Sequence, residues 1–142
     1  MGLTTKWQGN RAFTMANGKG SELKMDSIEE FGGEGKGVSP MEALLGALSG
    51  CMGIDAVTIL KPHLGKITNL EIVADGVRNE GTPKFYTAIE VAFVVDGEVE
   101  AEKVWRAIRL SADKYCSVGF SLKAELSYKL VLNGVEVMET VK

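Results

Sequence analysis

Ser39–Lys61 reads SPMEALLGALSGCMGIDAVTILK, and the fold turns on this stretch. Ser39 can serve as N-cap, Pro40 suits the first helical position, and Glu42 stands three residues after the cap, which together spell a capping box. Pro62 stops the helix and Gly65 lies just beyond it. Between these signals the only carboxylates are Glu42 and Asp55. At about 100° per residue the apolar side chains run round nearly the whole circumference. The helix is therefore expected inside a core, buried on almost every side. Gly46, Gly50 and Gly53 fall within about 60° of one another on this helix. Each glycine costs about 1 kcal/mol against alanine, a loss that a second helix packed close against the stripe would offset. The uncharged run Ala43–Ile54 is shorter than the roughly 20 residues that span a bilayer, and Asp55 interrupts the remainder of the helix, so no membrane span is expected.

The surrounding chain has the size and polarity of one globular domain, 1–142, able to bury a core without staples: 142 residues, 45% hydrophobic and 25% charged. A net charge of −3 with no basic run leaves no footprint for nucleic acid. The opening MGLTTKWQG lacks the apolar core of a signal peptide, which points to the cytoplasm. Two cysteines in that compartment are expected to be reduced or redox-active rather than a structural staple.

Outward from the central helix, residues 3–8, 11–16 and 21–26 read as short strands, with Asn17-Gly18 as a hairpin turn. Phe31-Gly-Gly-Glu-Gly-Lys-Gly37 is glycine-rich but leads into Val38-Ser39, without the Gly-Lys-Ser/Thr of a phosphate loop. It reads instead as a mobile loop near a pocket mouth. After Pro62 strands are expected at 67–77 and 84–95. In the second, Phe85, Thr87, Ile89, Val91, Phe93 and Val95 share one face. Residues 99–115 set Val104, Trp105, Ile108, Ala112 and Tyr115 at helical spacing opposite charged residues, an amphipathic helix with Cys116 at its end. Leu126, Tyr128, Leu130 and Leu132 form a last alternating strand, with an Asn133-Gly134 turn and a short return over 135–138. This order implies an α+β fold with a largely antiparallel sheet.

Few residues can carry chemistry. The single histidine, His63, lies twelve positions past Cys51, about 18 Å along a helix axis, too far to pair with it there. It reads as an exposed helix-terminal residue. One histidine and two cysteines make no recognisable zinc spacing, so no metal is expected. The candidates are Cys51 and Cys116, and spacing alone favours inert packing over redox chemistry for both. The helix dipole gives Cys51 no help three turns in.

The segment Ser39–Cys51, with Lys114-Tyr-Cys-Ser-Val118 far downstream, resembles the OsmC/Ohr family of osmotically inducible and organic-hydroperoxide-resistance proteins. The resemblance covers the whole chain. It implies an OsmC-like fold in an intertwined homodimer whose central helices pack together, which would account for the glycine stripe. It also implies a thiol peroxidase acting on hydroperoxides, without metal, heme or flavin, and re-reduced by a dithiol. By position, Cys51 matches the peroxidatic cysteine and Cys116 the resolving one, joined as a disulfide after a sulfenic acid. Arg11, in Gly9-Asn-Arg-Ala12, resembles the strand arginine that stabilises the thiolate. An exposed strand charge is the alternative reading of Arg11.

The family often places glutamate directly after the proline, where this chain has Met41. Glu42 stands nine residues before Cys51, about 180° away around the helix, and suits the capping box better than an arginine partner. Asp55 lies one turn after Cys51 on the same face, where an uncompensated carboxylate opposes a thiolate. Among Leu44, Leu48 and Ile54, a Cys51 thiolate needs a cation within about 4–6 Å. Arg11 is the first choice and Arg109 the reserve. Two readings remain: a peroxidase for organic hydroperoxides, or a weakly catalytic or non-catalytic protein that binds an apolar small molecule or senses oxidants.

Overall fold

The computed structural model describes residues 2–140. The chain divides into two compact units, one up to Leu44 and one from Leu45 onward. The first unit holds an antiparallel sheet of three strands, β1 (Thr4–Trp7), β2 (Phe13–Ala16) and β3 (Glu22–Met25), in the order β1-β2-β3. Its register runs Thr4↔Ala16 to Trp7↔Phe13, and Phe13↔Met25 to Ala16↔Glu22. Arg11 precedes β2, on the turn that leaves β1, rather than on the strand expected at 11–16. Asn10 makes that turn with a left-handed φ of 45°. The residue after it is thereby lifted out of the ladder.

The glycine-rich segment is organised by a residue outside it. Asp26 is buried, 3% exposed. Its carboxylate accepts the backbone N–H groups of Ser27 at 2.7 Å, Glu34 at 3.2 Å and Lys36 at 3.1 Å. These bonds, the one from Lys36 foremost, hold the carboxyl below its ordinary value of 3.8. Gly33 passes so near this corner that a Cβ there would overlap the Ser27 carbonyl. In place of the expected mobile loop, the segment wraps a buried carboxylate.

Helix α1 (Pro40–Ile59) starts where the capping box predicts. Ser39 N–H donates to Glu42 Oε1 at 2.9 Å and Glu42 N–H donates to Ser39 Oγ at 3.1 Å. Glu42 is thus engaged at the helix start. Within one chain α1 buries a stripe, Leu48, Met52 and Ala56, each 1% exposed or less. The opposite side is open: Ile54 is 68% exposed, so it does not enclose Cys51 as expected, and burial on almost every side is met only along the stripe. A Cβ on Gly46 or Gly50 would meet nothing within 4 Å, whereas one on Gly53 would meet Ile72 Cδ1 at 3.1 Å. By length and composition alone α1 could cross a membrane. Its stripe of Leu48, Met52 and Ala56 is packed into the fold.

The second unit is built on a four-stranded sheet in the order β4-β5-β6-β7, with β4 (Ile67–Arg78), β5 (Tyr86–Gly97), β6 (Glu125–Leu132) and β7 (Val135–Glu136). β4 and β5 pair antiparallel, with Ile72 opposite Phe93. β5 and β6 run parallel, Ala88↔Glu125 to Val95↔Leu132. Helix α2 (Ala101–Leu110) supplies the crossover that a parallel pair requires. The alternation in β5 puts Ile89, Val91, Phe93 and Val95 in the core with Val104, Ala107, Ile108 and Leu130. Burying each large apolar side chain contributes about 1.5–3 kcal/mol. His63 lies in a short 3-10 turn, Lys61–Lys66, and is half-buried rather than exposed.

The helix expected over 99–115 changes character at Ser111. Residues Ser111–Tyr115 form a π turn, in which Cys116 N–H donates to Ser111 O, five residues back, at 2.8 Å. The wide turn admits one extra residue and rotates everything after it. Ordinary helical spacing would send Tyr115 inward. Instead Tyr115 is 49% exposed and Cys116 is 1% exposed.

Candidate active site

Cys51 and Asp55 stand one turn apart on α1, so both side chains leave the same helix face. Cys116 arrives from the far end of the π turn as the N-cap of a short helix, α3 (Ser117–Ser121), and its Sγ accepts the Gly119 N–H at 3.3 Å. The two sulfurs and a carboxylate oxygen of Asp55 all lie within 4.8 Å of one another. Both cysteines are free thiols. Cys51 is half-buried and Cys116 is enclosed.

Ser111 completes the cluster. It is fully buried, and its hydroxyl donates to Asp55 Oδ2 at 2.7 Å. The same residue accepts the Cys116 N–H through its carbonyl. One π-turn residue thereby fixes both the carboxylate and the second cysteine. Burial pushes the Cys116 thiol up to about 11; the Gly119 N–H opposes that rise, while Cys51 and then Asp55 add to it.

Cys51, Asp55 and Cys116 offer three donors of metal-binding type, one short of the four that close a structural zinc site. A thiol pair at disulfide-forming range is the chemistry that the arrangement reads most directly.

Of the other expected residues, Arg11 and Glu42 lie in the first unit, and Arg109 has partners of its own. Arg11 belongs to the first unit, exposed, with its guanidinium over Gly32: a Cβ there would lie 2.9 Å from Arg11 Nε. Asn10 Nδ2 donates to Gly32 O at 3.0 Å and ties the same two segments together. Glu42 is the capping residue. Arg109, the reserve cation, is already engaged: it donates to both carboxylate oxygens of Glu139, at 2.6 and 3.1 Å, and pairs with Asp113 at 3.5 Å. Its guanidinium also faces the Tyr128 ring at 5.5 Å. The spacing that suggested Arg109 assumed an unbroken helix up to Cys116, and the π turn breaks that phase.

Sequence reasoning missed Ser111, because a serine inside an amphipathic pattern carries no mark of its partner 56 residues away. The one available signal is its register: seven residues after Val104 on the buried face of the expected helix, a polar side chain needs a partner.

A family model described as OsmC-like protein matches residues 33–131. The protein YhfA of Escherichia coli K12 is 34% identical over 137 residues, covering 92% of this chain and 98% of that one. A hypothetical protein from Aquifex aeolicus has a solved structure with a TM-score of 0.76 and 29% identity, covering 93% of this chain and 96% of that chain. An organic hydroperoxide resistance protein, OsmC, from Legionella pneumophila shares the fold at a TM-score of 0.59 and 14% identity, covering 93% and 96% of the two chains.

Proposed function

The chain belongs to the OsmC-like family, and from that premise we propose that it is a cysteine-based thiol peroxidase for organic hydroperoxides, acting as a cytoplasmic homodimer. The observation that carries this reading is the meeting of two free thiols from distant segments within 4.8 Å. Cys51 is the less buried of the two and is the nucleophile. Its thiol ionises, the thiolate attacks the distal peroxide oxygen and the O–O bond breaks. The alkoxide takes up the proton the thiol lost and leaves as an alcohol, with Cys51 as sulfenic acid. Cys116 then condenses with that sulfenic acid, forming the Cys51–Cys116 disulfide and releasing water. A dithiol returns two electrons by thiol–disulfide exchange and restores both thiols. Arg11 is the cation assigned to favour the Cys51 thiolate, a role that resemblance to the family gives it. Asp55 acts against that thiolate by its charge. This opposition favours a second reading, an oxidant sensor that forms the same disulfide with slow turnover.

The test is consumption of an organic hydroperoxide by the reduced protein with dithiothreitol as electron donor. Catalytic consumption, many peroxides per chain, supports the peroxidase. One peroxide per chain and then arrest supports the sensor, and consumption by neither route overturns both.

A further inference from the structure

Closure of the disulfide requires the Cys116 thiol to lose its proton, and the enclosed sulfur has little means to do so by itself. The thiolate is the nucleophile in such exchanges. With the thiol up near 11, about one molecule in ten thousand holds it as thiolate at neutral pH. Water does not reach it freely, since Cys116 is 1% exposed. Within this unit the titratable groups facing it are Cys51 and Asp55 from α1 and Tyr128 from β6. Tyr128 is itself held above its ordinary 10, chiefly by burial. Arg109 and Asp113 lie next to Tyr128 and pair with each other, and Arg109 also with Glu139. Asp55 is the one carboxylate among these groups that lies beside both sulfurs.

We propose that Asp55, held in place by the Ser111 hydroxyl, is the base that takes the Cys116 proton and delivers it to the hydroxide leaving Cys51. This rests on the peroxidase reading above. The S–O bond of the Cys51 sulfenic acid breaks as the S–S bond forms. The Cys116 sulfur is oxidised, the Cys51 sulfur is reduced, and the proton and hydroxide leave as one water. Asp55 passes on the proton it took and ends the step as it began. A carboxylate has about four lone-pair sites, and the Ser111 proton occupies one of them. Ser111 is thus a positioning residue: it sets the rotation of the carboxylate while its carbonyl sets Cys116.

The experiment separates closure from peroxide chemistry. The reduced protein is treated with 5,5′-dithiobis(2-nitrobenzoate), which labels the more accessible Cys51 and releases one thionitrobenzoate. Attack by Cys116 on the mixed disulfide then releases a second. The rate of that second release is monitored between about pH 6 and 9 in the parent and in Asp55→Asn, Asp55→Glu and Ser111→Ala. In the parent it is expected to change little with pH. In Asp55→Asn it is expected to fall at least about tenfold at neutral pH and to rise about tenfold per pH unit, since closure then waits for the free thiolate. Asp55→Glu, which keeps a carboxylate, restores part of the rate, and Ser111→Ala gives an intermediate loss.

A merely electrostatic Asp55 predicts the opposite sign. Removing its charge would ease ionisation of Cys116 and speed closure, and that result, or an unchanged rate and slope, overturns the proposal. The same comparison with one equivalent of hydroperoxide tests delivery of the proton to hydroxide. Asp55-dependent closure with no reaction toward peroxide would sink the peroxidase reading and leave the base assigned. Peroxide consumption with closure indifferent to Asp55 would do the reverse.

Discussion

Cys51 and Cys116 begin from different surroundings, and in the proposed mechanism these divide the labour between them. The half-buried Cys51 can meet a substrate; Cys116, enclosed and pushed up to about 11, can act only on a neighbour already brought to it. Cys51→Ser is expected to abolish peroxide consumption. Cys116→Ser is expected to halt the cycle with Cys51 as sulfenic acid or over-oxidised, read by mass spectrometry after trapping. Equal consumption by Cys51→Ser and the parent would end the peroxidase reading. Arg11→Ala is expected to slow Cys51 oxidation about tenfold, the effect of losing about 1.4 kcal/mol of charge stabilisation, with the melting temperature little changed. Gly32→Ala should reproduce part of that loss. Its φ of +91° disfavours any side chain, and the new Cβ would crowd the Arg11 guanidinium. Unaltered oxidation in Arg11→Ala would assign the activating cation elsewhere.

At the level of elements, the start of α1 and the Asp26 corner each depend on a few bonds. Ser39→Ala removes one arm of the capping box and is expected to cost about 1 kcal/mol, visible as a lower denaturation midpoint. Asp26 is held below 3.8 in the folded chain, chiefly by the Lys36 N–H. Its stabilising effect is present above that value and is lost as pH falls below 3.8 through the lower folded value. Protection from hydrogen exchange at Ser27, Glu34 and Lys36, taken relative to an unstructured peptide at the same pH, should therefore fall below that pH in the parent and already be low at neutral pH in Asp26→Asn. Protection that persists in Asp26→Asn would show the corner to be held by other bonds.

Local chemistry made the legible part legible: a capping box, a proline stop, and the strict alternation of Ile89, Val91, Phe93 and Val95. The rest depended on partners far away in sequence. Asp26 gives no hint that three amides from residues 27–36 converge on it. An apolar alternation reads the same whether β5 and β6 run parallel or antiparallel. The π turn at Ser111–Tyr115 exchanges Tyr115 for Cys116 on the inner face, against simple helical periodicity. Cys51, Cys116 and Asp55 could be named from the sequence, while Ser111, which fixes two of them, could not.

For the whole molecule, the exposed side of α1 carries the proposal of a homodimer. In a lone chain, alanine at Gly46 and Gly50 has open space, and each replacement should stabilise the helix by about 1 kcal/mol. If a second copy packs against the stripe, the added methyl groups instead separate the two helices. The Gly46→Ala, Gly50→Ala double variant is then expected to shift the parent from dimer toward monomer in sedimentation. A monomeric parent whose double variant is simply more stable would contradict the dimer. Redox pairing of Cys51 with Cys116 inside one chain underlies the whole mechanism, and it can be read directly. Fully reduced protein should be given one equivalent of an organic hydroperoxide, quenched with an alkylating agent and mapped by peptide mass spectrometry. The mechanism predicts one alcohol per chain and a Cys51–Cys116 disulfide within the chain. Recovery of both thiols alkylated, with the peroxide intact, would contradict it.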